Sequence, residues 1–335
     1  MNGFETSLFS PSRESGIALR ESLNRDFASS FEHILGACAE HYEVPERQVV
    51  ALLSRIRSGS RETPYIYALH FELIQAIQDN TSNDVQALIT EILSLGPADR
   101  SILVTSLSAE EFPWNADIVA GYFADEQDSL FNYVEPRADG VPSRRRQVNA
   151  ALDLLRQAVP GLAGELDELV TTVILARGVA AKDESELMAP FEGASALRAF
   201  GAIMLDGQPD QSVVDCAASL MHEAAHIALF ALSPMEGVVT NTDDERHESP
   251  LRTDARPLEG VFHATFVLAR MVYGMESLLS SGYLSPAERD VAIDIVTASR
   301  PLFFDGVETL RRHGKFTRAG AAALGAAESY MAEFA

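Results

Sequence analysis

The sequence predicts a mainly α protein: a multi-helix bundle around one buried helix that carries an HExxH motif, with at most a small β element preceding that helix. Three observations point there. Apolar residues recur at spacings of three and four along most of the chain. Proline and hydroxyl residues stand where helices would begin. Only two short runs, 170–176 and 200–205, read as strand, and the first of these also continues a helical pattern.

Leu23, Phe27, Phe31, Ile34 and Cys38 mark one face of a first amphipathic helix. Pro45 and the Thr63-Pro64 pair each open another, since proline's missing N–H is not needed at the first helical position. Residues 83–95 form a fourth, closed by Gly96. The run 200–205 (FGAIML) precedes VVDCAASLMHEAAHIALFAL, apolar on nearly every side and therefore a buried helix. Pro257 opens a further apolar helix, Ser285 and Glu288 have the spacing of a capping box, and Thr317 caps an Ala-rich helix near the end.

The seam of the chain is VEPRADGVPSRRRQ, where two prolines, a glycine and three arginines interrupt the apolar pattern. It divides the chain into an N-terminal helical region, 1–133, a linker, 134–147, and a catalytic region, 148–335. Arg144, Arg145 and Arg146 read as solvated linker residues.

With 335 residues and 47% apolar against 22% charged residues, the chain can bury a sizeable core. The 26 Lys and Arg against 49 Asp and Glu give a net charge of −23, which repels phosphate backbones and anionic lipid and argues against nucleic-acid or membrane partners. The N-terminus has neither a basic nor an apolar signal segment, and no run of about 18 apolar residues occurs, so a cytoplasmic protein is expected. Cys38 and Cys216 lack CxxC spacing and read as buried free thiols.

The chemistry sits in His222-Glu223-Ala224-Ala225-His226. At 3.6 residues per turn, His222 and His226 leave the same helix face, close enough for two imidazoles to share one metal ion, with Glu223 about 100° round the axis. Two imidazoles and a carboxylate inside an apolar helix are costly unless paired or bound to metal. The candidate third ligand is His263, with Glu259, Asp254 and His247 as alternatives. The metzincin continuation is excluded because Leu229 and Leu232 occupy its positions.

Arg256 and Arg270 lie seven residues either side of His263, and Arg252 lies just upstream, so a guanidinium near the metal is expected to take a carboxylate-bearing ligand. The competing expectation is that these arginines neutralise neighbouring acids. Two reactions suit the motif. Zinc with Glu223 as general base would hydrolyse a peptide bond. Iron(II) on three protein ligands would leave positions for a 2-oxo acid and dioxygen. A peptide-binding scaffold with a vestigial site is the third possibility.

The HEAAH helix after a short strand, the segment SPLRTDARPLEGVFHATFVLAR and the late stretch HGKFTRAGAAAL together resemble the HExxH-motif proteins encoded beside ribosomally synthesised, post-translationally modified peptides. The resemblance covers roughly residues 148–335. It implies an iron(II)- and 2-oxoglutarate-dependent dioxygenase that hydroxylates a side-chain β-carbon of a precursor peptide. It implies His222, His226 and His263 as iron ligands, Arg252 and Arg256 as candidates for the cosubstrate carboxylate, and Glu223 as an acid–base group beside the metal.

Overall fold

The computed structural model describes residues 9–126, 131–180, 191–208, 212–234 and 236–334. The protein is mostly helical, with eleven α-helices among the described residues and small sheets, as a mainly α fold requires. It divides into two compact units, each drawn from separated stretches. One holds the described residues of Ile17–Arg145 and Asp167–Pro209; the other holds those of Met1–Gly16, Arg146–Leu166 and Asp210–Ala335. The expected regions 1–133 and 148–335 do not coincide with these units, although one crossing, between Arg145 and Arg146, falls inside the expected linker.

The first helices match the sequence reading: α1 (Arg13–Cys38), α2 (Glu46–Arg57) behind Pro45, α3 (Pro64–Gln78) behind Thr63, and α4 (Ser82–Ser94). Leu23, Phe27, Phe31 and Cys38 are buried along α1. There follow β1 (Leu103–Ser106), α5 (Ala116–Glu126) and β2 (Phe131–Val134). The second half of the stretch read as linker belongs to α6 (Val141–Ala158), with Arg144 fully buried and its Nε donating to the Asp206 carbonyl at 2.9 Å. Arg145 pairs with Glu111, and only Arg146 is exposed as a linker residue would be. Apolar Val148, Ala151, Leu152 and Leu155 continue one helical face from this segment, which is why the arginines are carried into structure.

After α7 (Pro160–Leu169) come β3 (Thr172–Ala180), β4 (Gly193–Ser195) and β5 (Ala202–Asp206). These strands correct the expectation of at most a small β element. The sheet runs β1-β3-β5-β4, with β1, β3 and β5 parallel, β4 antiparallel to β5, and β2 antiparallel to β3. Register places Thr105 beside Ile174 and Ile174 beside Met204. Val173, Ile174, Leu175 and Ala176 are all fully buried. A strand covered on both faces loses the alternation that marks strands in sequence, which explains the ambiguity of 170–176.

The second unit contains α8 (Val213–Leu232), a hairpin of β6 (Arg246–Ser249) and β7 (Arg252–Pro257), then α9 (Leu258–Ser281), α10 (Pro286–His313) and α11 (Arg318–Met331). A Ser212–Asp215 capping box starts α8, the expected Ser285–Glu288 box starts α10, and Thr317 Oγ1 accepts from the Gly320 amide at 3.1 Å to start α11. By length and composition α8 would suit a bilayer, yet 72% of its apolar window is buried within the protein. Pairing of α9 with α10 depends on Gly306, where a Cβ would collide with Thr265 Oγ1 and stand 3.2 Å from Pro250. Cys38 and Cys216 are buried and form no disulfide among the described residues.

Candidate metal centre

On α8, four residues bring His222 and His226 one turn apart on one face, and their Nε2 atoms stand 3.3 Å from each other. On α9, His263 meets His226 from a second helix, with the ring planes 24° apart, centroids 5.3 Å apart, and the two Nδ1 atoms 3.1 Å apart. Phe230, one turn beyond His226, covers both rings, its centroid 6.4 Å from His226 and 5.4 Å from His263. Three imidazoles from two helices thus gather beside the Phe230 ring within one unit.

The nitrogens do not all aim at one point. His226 turns Nε2 towards His222 and Nδ1 towards His263. Among the described residues, no group of three or more His, Cys, Asp or Glu side chains is disposed to hold one ion. The Nε2–Nε2 separation of the His222–His226 pair is compatible with one shared ion. Two nitrogens each about 2.0–2.1 Å from a tetrahedral metal stand about 3.3–3.4 Å apart, which is the separation seen here.

Burial sets the charge state. Desolvation pushes His222 down to about 4, and His226 falls well below the ordinary histidine value through burial first and then through the neighbouring His222 and His263. Both are neutral near pH 7, the form that offers a lone pair to a metal. Glu223 follows His222 on α8 and is 5% exposed.

Glu259 is placed differently from a ligand. Its carboxylate accepts from the Val238 amide at 3.1 and 3.2 Å and from the Val239 amide at 3.1 Å, and Oε1 lies 3.6 Å from His263 Nε2. Burial alone would raise this carboxyl, but His263 and the two amides outweigh it and hold Glu259 below the ordinary carboxylate value. Gly237 has φ +68° and lies against this carboxylate, 3.2 Å from where its Cβ would be, so no other residue sits there without strain.

The arginines divide. Arg270 is 2% exposed, paired with Glu165 and donating to the Phe9 carbonyl at 2.9 Å. This corrects its assignment to the cosubstrate: its charge is neutralised inside the unit, by a glutamate distant in sequence. Arg256 is not on the His263 helix at all, since β7 contains it, so the expected common face with His263 and Arg270 does not exist. Its guanidinium lies 3.5 Å from the exposed Asp254, as the neutralisation reading expected for that pair. Arg252 opens β7 opposite Ser249, and its side chain lies outside the described residues.

The polar segment around His247 forms the β6–β7 hairpin, with His247 opposite Arg256. The His247 ring stacks on His313 at 4.3 Å instead of joining the three histidines. Sequence reasoning missed the clamp of Glu259 on residues 238–239. Its one available signal was a glutamate in the first turn of an apolar helix, which says nothing of a partner 20 residues upstream.

No model of a known protein family matches the chain, and no curated protein shows significant similarity to it.

Proposed function

We propose that the protein is a soluble, cytoplasmic metal-dependent enzyme whose ion is held at the Nε2 atoms of His222 and His226, and that it acts as an iron(II)- and 2-oxoglutarate-dependent hydroxylase of a peptide side chain. The observation that carries the metal reading is the 3.3 Å approach of two neutral, desolvated imidazoles from one apolar helix, with a third imidazole against them. The choice of iron and 2-oxoglutarate rests on the resemblance of the HEAAH helix and of the SPLRTDARPLEGVFHATFVLAR segment.

In this reading Arg256, with Arg252, holds the carboxylate of the cosubstrate, Phe230 keeps bulk water from the histidines, and Glu223 moves a proton beside the ion. When bound, iron supplies the overall conversion of 2-oxoglutarate, dioxygen and a C–H bond to succinate, carbon dioxide and a hydroxylated side chain. A zinc peptidase is the second reading, favoured by the buried Glu223 directly after His222.

The test is an anaerobic absorbance titration of metal-free protein with iron(II) and then 2-oxoglutarate. The hydroxylase reading expects a visible charge-transfer band in the wild type, weakened in Arg256→Ala and absent in His226→Ala. If no band forms in a wild type that binds zinc at one equivalent, the peptidase replaces it, and Glu223→Gln must then abolish peptide cleavage while zinc stays bound.

A further inference from the structure

Three imidazoles and one carboxylate form a single line of close contacts. His222 Nε2 meets His226 Nε2 at 3.3 Å, His226 Nδ1 meets His263 Nδ1 at 3.1 Å, and His263 Nε2 faces Glu259 Oε1 at 3.6 Å. The far end is fixed, because the amides of Val238 and Val239 hold the Glu259 carboxylate.

A neutral imidazole carries one N–H and one lone pair, so each of the two imidazole–imidazole contacts must have one donor and one acceptor. The Glu259 carboxylate only accepts, and its Oε1 lies 3.6 Å from Nε2, longer than a hydrogen bond but near enough for its charge to favour the His263 hydrogen on Nε2, which leaves Nδ1 as acceptor. His226 must then donate from Nδ1 and keep its lone pair on Nε2. With all three imidazoles neutral the line then runs in one direction, and it ends by pointing the Nε2 lone pair of His226 towards His222.

We infer that His263 and Glu259 are positioning residues that lock His226 in the Nδ1–H form from behind, leaving the metal to the Nε2 side. The inference rests on the metal reading of His222 and His226, and it changes only the role of His263. Metal-binding histidines commonly donate their second N–H to an outer acceptor, and loss of such an acceptor weakens metal binding about 10- to 100-fold. His263 supplies that acceptor here, and Glu259 orients it. Binding an ion at the two Nε2 atoms displaces only the His222 Nε2 proton, so the rest of the line is already set before the metal arrives.

Two measurements test this. Long-range ¹⁵N–¹H correlation on the metal-free full chain, labelled at histidine, should find His226 as the Nδ1–H form and His263 as the Nε2–H form. The opposite form at either residue overturns the inference. In His263→Phe, which keeps the ring and removes both nitrogens, zinc should still bind at one equivalent but about 10- to 100-fold more weakly, with the same number of imidazole ligands by X-ray absorption as the wild type. Loss of one imidazole from the coordination shell would make His263 a ligand and overturn it too. The tautomer measurement needs no metal, so a wild type that binds no zinc would sink the metal site without altering the result for the line.

Discussion

Two places in the molecule depress a histidine through desolvation, and they differ in what surrounds the ring. His70 on α3 is 4% exposed, packed against Phe27, Phe31 and Phe71 with centroids 4.8–5.0 Å away, and its Nε2 meets Ser30 Oγ at 2.8 Å. His222 on α8 is only partly covered, yet burial pushes both histidines down to about 4. A depressed histidine is thus no mark of a site by itself. What separates the two places is that His70 faces one hydroxyl and a set of phenyl rings, whereas His222, His226 and His263 face one another.

The largest expected effect breaks this contrast if it fails. His226→Phe should abolish zinc retention after loading and gel filtration, while His70→Phe should retain one equivalent as measured by elemental analysis. Equal zinc contents in both variants would make the cluster on α8 and α9 another packed core.

The arginines repeat the contrast. Arg270→Ala leaves the buried Glu165 without its cation and with only the Ser15 hydroxyl, among the described residues, donating to it, so it should cost about 3–5 kcal/mol in urea unfolding, and Arg270→Met combined with Glu165→Leu should recover most of that loss. Arg256→Ala removes a partly exposed partner of Asp254 and should stay within about 1 kcal/mol of wild type. If Arg256→Ala proves as costly as Arg270→Ala, Arg256 is structural and leaves the proposed cosubstrate site.

Acid sharpens the comparison further. The folded values of His70 and His222 lie below the ordinary value of about 6.5, so between about 6.5 and 4 the unfolded chain binds more protons than the folded one. Metal-free protein should therefore lose stability progressively as pH falls through that window. His70→Phe should flatten the slope only in part, because His222 and His226 still contribute. Zinc should flatten the rest, since protons and metal compete for the same lone pairs; a slope unaffected by zinc would contradict the site.

The smallest effect tests the frame. Gly306→Ala should cost about 1–3 kcal/mol by pressing on Thr265, which is fully buried on α9 two residues from His263. Zinc affinity should fall with it if α9 must stay in register with α8.

These contrasts also show what the sequence could carry. The helix starts at Pro45, Thr63, Pro257, Ser285 and Thr317 were legible because caps and proline act over three or four residues. So was the common face of His222 and His226, which follows from helix periodicity alone. The β1–β3–β5 pairing was not legible, since β1 and β3 lie about 70 residues apart and β3 reads as a continuous apolar run. Arg144 and Arg270 were misread for a related reason: an arginine's partner, Asp206 or Glu165, is set by packing between distant segments and leaves no local trace. The gathering of His263 with His226 was a guess about residue type until two helices brought the rings within 3.1 Å, and its direction through Nδ1 was beyond any spacing argument.

The central claim is that His222 and His226 share one metal ion through Nε2. Titration of metal-free protein with cobalt(II), followed by visible absorption, tests it most directly. A ligand-field band should saturate at one equivalent in the wild type, persist in His70→Phe and disappear in His222→Ala. A wild type without saturable binding, or a His222→Ala variant that keeps the band, would contradict it.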